Sequence, residues 1–222
     1  MIGKHPLGEM MAHKSTIVRI FEPVLSRLSS DHRHRFDDSY HEETVLEDGS
    51  AIVLKTIKPG DKQNLQDGVR RLSPESRFRR FFSGKSELTR RELAYFTEID
   101  GENHFALACG HKLADGTLEG LAVARFVRRK DCPEAAEPAI AVVDDWQGKG
   151  VGRLLLTRLA TAALERGIVR FEAEVLADNE PMIGLLSTFP GTRFRWSDDT
   201  AHATVFLGPK RPKRKSNFWV RP

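Results

Sequence analysis

The segment Gln147-Gly148-Lys149-Gly150-Val151-Gly152 has the composition of an anion-binding turn. Glycines at alternate positions let the backbone approach a ligand with no Cβ in between. The spacing of Val151, Leu154, Leu155, Leu159, Ala162 and Ala163 predicts a helix that opens directly after the turn. A helix N-terminus offers unpaired N–H groups and the positive end of the macrodipole, so phosphate oxygens bind there. Lys149 and Arg153 add positive charge at the same place. Two familiar phosphate turns are excluded by spacing. A P-loop ends in Gly-Lys-Ser/Thr, whereas Arg153 follows Gly152 here; the dinucleotide fingerprint sets its third glycine later and an acidic residue about 20 positions on, a place Asp178 does not fill.

The turn needs elements to hold it. Glu137 to Val143 reads as a strand running into it, and Gly167 as the left-handed stop of the helix that follows. Val169, Phe171, Ala173 and Val175 alternate with Arg170, Glu172 and Glu174, which predicts a half-buried strand. Asn179 and Pro181 begin a short helix carrying Met182, Ile183 and Leu186, and strands at 194–196 and 203–207 close the domain. Upstream, Ala51 to Ile57 is strand-like, and Leu65, Val69 and Leu72 mark a helix that Asp61 would cap. Ser73-Pro74 starts another helix, with Phe78, Phe81 and Phe82 expected on its inner face and Arg77, Arg79 and Arg80 outside. Leu88, Tyr95, Phe96 and Ile99 are candidates for burial in a third. Phe105 to Cys109 and Gly120 to Val127 flank the turn signal Asp115-Gly116, as in a hairpin. The order is that of a mixed α/β domain.

The expected organisation is an extension over 1–44, a catalytic-size domain over 45–208 and a basic tail over 209–222. Ile17, Ile20, Phe21, Val24, Leu25 and Leu28 share a helical face that Pro23 interrupts, and 31–41 is charged and reads as a linker. The net charge of +4 includes six basic residues between Lys210 and Arg221, leaving −2 on residues 1–209 (+4 less 6). This is no basic nucleic-acid-binding domain; only the tail could touch nucleic acid, and a solubilising segment is the plainer expectation. No run reaches the roughly 18 apolar residues of a membrane helix, and no secretory signal is read at the N-terminus. Cys109 and Cys132 form no CxxC pair and fit a reduced cytoplasm.

The string Val142 to Gly152 resembles the acetyl-CoA loop of the GCN5-related N-acetyltransferases, whose pattern Gln/Arg-x-x-Gly-x-Gly/Ala is met by Gln147, Gly150 and Gly152. Two further segments, Leu72-Ser73-Pro74-Glu75-Ser76-Arg77-Phe78-Arg79-Arg80-Phe81-Phe82 and Asp178-Asn179-Glu180-Pro181-Met182, resemble the bacterial protein-lysine acetyltransferases of the Pat type. The resemblance covers 45–207. It implies a mixed central sheet, splayed at the acetyl-CoA site and flanked by helices. It also implies that backbone groups of Val142 and Val143 meet the pantetheine arm, and that N–H groups from Gln147 through Gly148, Lys149, Gly150, Val151 and Gly152 to Arg153 hold the pyrophosphate. Asn179 touches the cofactor beyond the next strand. The acceptor it implies is a protein lysine, with a small amine or a non-catalytic acetyl-CoA sensor as rivals.

Acetyl transfer needs a neutral amine, and fewer than about one lysine in a thousand is neutral at pH 7. A general base removes the proton. Glu137 is the candidate, as in the family it resembles: six steps of strand to Val143 span roughly 20 Å, which sets its carboxylate near the thioester of a cofactor whose phosphates lie at the turn. The plain alternative is an exposed glutamate at a strand start. Relatives often carry a tyrosine as acid after the Asn-containing segment; the two tyrosines here, Tyr40 and Tyr95, lie elsewhere, so the acid is unassigned. His32, His34, Asp37, Asp38 and His41 match no zinc template, and no metal is expected.

Overall fold

The computed structural model describes residues 34–113 and 115–208. The helical face at 17–28 and the tail at 209–222 lie outside them. Among the described residues one eight-stranded sheet has the order β1-β2-β3-β4-β5-β6-β8-β7. Its strands are β1 (His41–Val45), β2 (Ala51–Thr56), β3 (His104–Lys112), β4 (Leu118–Arg128), β5 (Ala135–Val142), β6 (Arg170–Leu176), β7 (Arg193–Trp196) and β8 (Thr200–Phe206). The helices are α1 (Lys62–Arg70), α2 (Pro74–Phe81), α3 (Arg90–Thr97), α4 (Val151–Glu165) and α5 (Glu180–Ser187). None of these is long and apolar enough to cross a membrane.

All neighbouring strands are antiparallel except β5 and β6. Those two run parallel and pair only at Ala135↔Arg170 and Ala136↔Phe171. From Glu137 onward the strands part, so the sheet is splayed as the resemblance implies. Helix α4 packs under the sheet through Leu155, Leu156 and Leu159, all buried against a floor that includes Phe105, Phe126 and Phe171. Ring centroids 5.7 Å apart (Phe105–Phe126) and 6.2 Å apart (Phe126–Phe171) carry the core across β3, β4 and β6. Gly167, at φ 74°, ends the helix as expected, and Ile168 N–H donates back to Ala163 O at 2.9 Å.

The structure corrects four expectations. Residues from Phe36 onward are not a linker: Phe36 is fully buried, Tyr40 stacks on it at 4.5 Å, and β1 pairs with β2. Arg166 donates to Phe36 O at 2.7 Å and Arg158 grips Glu42 at 2.6 and 2.8 Å, so two arginines of α4 and its end hold a segment whose charge conceals its packing. Asp61 does not cap α1. Its carboxylate accepts from Lys58 N at 2.8 Å and pairs with Lys55 at 2.5 Å, because the short 3-10 turn before α1 is closer than the helix's own amides. Tyr95 is not buried but half-exposed, while Leu88 is buried.

Helix α2 is turned inside out relative to its pattern. Phe78 and Phe82 are 50% and 52% exposed, and only Phe81 packs on the core. Arg79 and Arg80 face inward. The inward face of α2 meets an open cleft rather than an apolar layer, so charged groups can stand there in contact with water or ligand. Its start is as expected: Ser73 Oγ accepts from Ser76 N at 3.1 Å and Pro74 takes the first helical position.

Candidate active site

The parting of β5 and β6 opens a cleft of about 410 Å³, roofed by α2 on one side and by α5 on the other. At one end stands Glu137, the first residue past the last β5–β6 pair and exposed to the cleft. At the other end lies the glycine turn. About five strand steps, or roughly 16 Å, separate Glu137 from Val142. Along that stretch β4 covers only one edge of β5, so the backbone groups on the other edge face the gap.

Gly148 and Gly150 have φ of 74° and 89°, a region L-residues avoid. The first helical bond of α4 runs from Leu154 N–H to Gly150 O at 3.0 Å. The amides of Val151, Gly152 and Arg153 therefore have no acceptor within the helix and point out of its end. A Cβ on Gly152 would stand in ordinary contact with Leu185 at 3.5 Å and Val142 at 3.8 Å, so the first turn of α4 packs between β5 and α5. A bent row of amides and a cleft wide enough for an extended arm fit a pyrophosphate-linked thioester.

Of the residues singled out from sequence, Glu137, Val142, Gln147, Gly148, Gly150, Gly152, Arg153 and Asn179 line the cleft. Three do not bring side chains there. Val143 is buried, its N–H donating to Leu121 O and its carbonyl accepting from Trp146 N, both at 2.9 Å, so neither backbone group is left for an arm in the gap. Val151 is fully buried in the core. Lys149 lies with Nζ 4.7 Å above the Trp146 ring. Asn179 has a divided role: its oxygen caps α5 by accepting from Met182 N at 3.2 Å, leaving its amide N–H groups for a ligand.

Sequence reading missed how the turn is fastened. Asp144 accepts from Ser73 N, Ser73 Oγ and Ser76 Oγ, each at 2.8 Å. Gln147 Nε2 donates to Ser76 Oγ and to Val142 O, both at 3.1 Å. The start of α2 is thus latched to the turn. Only a pairing of Ser73-Pro74-x-Ser76 with an acid 68–71 positions on could have signalled it. Replacing Asp144 by alanine removes three hydrogen bonds at an exposed site, where water takes up the donors, so a net loss of about 1 kcal/mol is expected for the latch as a whole. We expect the KM for acetyl-CoA to rise about 5-fold with little change in kcat, read from initial rates at saturating acceptor.

Beyond Glu137 the cleft is basic. Arg80 lines it, held with its guanidinium 5.0 Å over Phe81. Behind Arg80, Arg125 is 4% exposed, 4.1 Å over the Phe96 ring, and donates toward His104 Nε2 at 3.2 Å. Burial, and then Arg80, push the Arg125 guanidinium down to about 9. Burial, and then Arg125, push His104 down to about 4, so its ring is neutral at pH 7. The sign follows. The unfolded chain protonates this histidine first, so its contribution to stability is full above pH 6.5 and is lost as pH falls toward 4. We expect wild type to lose about 1–2 kcal/mol more than a His104→Gln variant between pH 7 and pH 4.5, after allowing for solvent screening, in urea unfolding.

The chain belongs to the acetyltransferase (GNAT) family, whose model matches residues 71–189. Members of this family use acetyl-CoA as cosubstrate for N-acetylation. Acetyltransferase Pat of Mycolicibacterium smegmatis is 37% identical over 135 residues, 60% of this chain and 39% of that longer protein. The GNAT domain of S. lividans PAT superposes with a TM-score of 0.66 at 30% identity, covering 75% of this chain and 96% of that one. The fold is also that of yncA from Salmonella typhimurium, solved with its cofactor acetyl-CoA, at 18% identity and a TM-score of 0.54 over 73% of this chain and 98% of that one.

Among the described residues no group of three or more His, Cys, Asp and Glu is placed to hold a metal. His34 instead bonds Glu102 at 2.9 Å.

Proposed function

We propose that this protein transfers the acetyl group of acetyl-CoA directly to the side-chain amine of a protein lysine, with Glu137 as general base. The observation that carries the reading is the cleft itself. One carboxylate stands where the two strands part, and a glycine-opened helix end lies roughly 16 Å away along the same strand. The amides of the turn and of α4 hold the pyrophosphate, and the free edge of β5 pairs with the pantetheine arm. Glu137 takes the proton of the incoming ammonium, directly or through water. The amine nitrogen then attacks the thioester carbon, the carbon–sulfur bond breaks, and the thiolate leaves, taking up the second proton that the nitrogen sheds, directly or through water. Tyr40 does not supply the acid: its hydroxyl donates to Glu42 at the far edge of the sheet.

The lysine acceptor rests on likeness to the Pat proteins and on the rim of the cleft. Phe82 lines the mouth and Phe78 stands one turn before it, both about half exposed, with Tyr95 on α3 equally exposed. Aromatics left exposed together are what protein-binding surfaces use as anchors. A buried small-amine pocket has no use for them.

The test is release of CoA thiol from acetyl-CoA against a panel of proteins, peptides and small amines, with the acetylated site mapped by mass spectrometry. Lysine-bearing proteins or peptides should support turnover and small amines should not. Turnover on polyamines or aminoglycosides alone would overturn the lysine assignment. Cofactor binding with no turnover on any amine would make the protein a sensor of acetyl-CoA.

A further inference from the structure

Two guanidinium groups sit where the acceptor must arrive, and the described part of the chain gives neither a carboxylate partner. Arg80 lines the cleft on the turn of α2 nearest Glu137, and Arg125 lies behind it, almost fully buried. Among the described residues no carboxylate comes within 4.0 Å of either. Glu137 attracts Arg80 from further off. The neighbouring Arg79 is different, being paired with Glu75 at 2.6 Å. The partners of Arg125 are neutral: His104 Nε2 at 3.2 Å, Phe96 O at 3.4 Å and the Phe96 ring.

Removing a cation from water without an anion is costly, and a site that does so repeatedly is built to receive one. Arg80 is also held for the purpose. Its planar face rests on Phe81, which leaves the N–H edges free for a forked contact with a carboxylate. The pyrophosphate is expected on the turn amides past Val142, whereas Arg80 is attracted by Glu137 at the other end of β5. A lysine ammonium alone would meet the carboxylates of Glu137 and Glu174 and leave Arg80 without an anion.

We propose that Arg80, backed by Arg125, binds an anionic group of the acceptor, and that the preferred acceptor is a lysine with an acidic residue beside it. This rests on the lysine reading above. The carboxylate neighbour docks on Arg80 and leaves the amine within reach of Glu137. Polyamines and lysine-rich basic segments bring no anion to Arg80 and lack this anchor.

The test uses the full chain and three peptides of equal length, each with one lysine flanked by Glu, Gln or Lys. Wild type should show a kcat/KM about tenfold higher for the Glu-flanked peptide than for the Gln-flanked one, and lower again for the Lys-flanked one. Arg80→Gln should bring the first two within about twofold of each other, and Arg80→Lys should keep part of the preference. Acetyl-CoA affinity, from titration without acceptor, should be the same in all three proteins. Equal use of the peptides by wild type would overturn the proposal, as would an unchanged ratio in Arg80→Gln or a loss confined to acetyl-CoA affinity. Failure of the lysine reading looks different: no peptide is acetylated, yet small amines are. The anion position then survives only if glutamate outruns putrescine and Arg80→Gln abolishes that lead.

Discussion

Replacing Glu137 by glutamine will lower kcat by about 100-fold or more while acetyl-CoA affinity stays within about twofold, because a positioned general base contributes roughly 10²–10⁴. The substitution is nearly isosteric and lies on an exposed position, so the fold is not at risk. Glu137 is also the first residue after the β5–β6 ladder ends, and its side chain supports no neighbouring strand. The defect should shrink as pH rises, since free solution then supplies more neutral amine; wild type and variant should converge toward pH 10. The measurement is a pH–rate profile at saturating acetyl-CoA. A glutamine variant with wild-type kcat at pH 7 would remove Glu137 from the chemistry.

Gly150→Val should do the reverse, raising the KM for acetyl-CoA by about 100-fold or more while kcat at saturation largely survives. Two effects add. Gly150 holds φ at 89°, and a β-branched residue there carries a strain of roughly 1–2 kcal/mol. No protein atom lies within 4 Å of where its Cβ would stand, so the new side chain meets no wall; it projects into the space phosphate oxygens need. The strain should cost a few degrees of melting temperature for a domain of this size. Isothermal titration with CoA checks the affinity, and a melting curve separates it from unfolding. A valine variant that binds CoA normally would mean the pyrophosphate lies elsewhere.

The strand, turn and helix from β5 to α4 were legible because each step has a local cause: alternation, glycine at positive φ, periodicity, then Gly167 as a stop. β6 was equally plain, with Phe171, Ala173 and Val175 buried and Glu174 exposed. What failed has more than one physical origin. Amphipathic patterns assume that the inward side is apolar. Helix α2 roofs a polar cleft, so its arginines turn in and Phe78 and Phe82 turn out. Residues 36–42 look solvated because the groups that hold them lie more than a hundred positions away: Arg158 pairs with Glu42 and Arg166 donates to Phe36 O. The parting of β5 from β6 leaves no mark in either strand's periodicity; it came from family resemblance alone. The latch through Asp144 joins segments that no local pattern connects.

That latch has a consequence for how kinetics on this protein should be read. Because Ser73 and Ser76 share one acceptor with the turn, the helix that roofs the cleft and the glycine turn are fastened to each other. A change at one is then expected to reach the other, so the affinity for each reactant is best read by titration with its co-reactant absent.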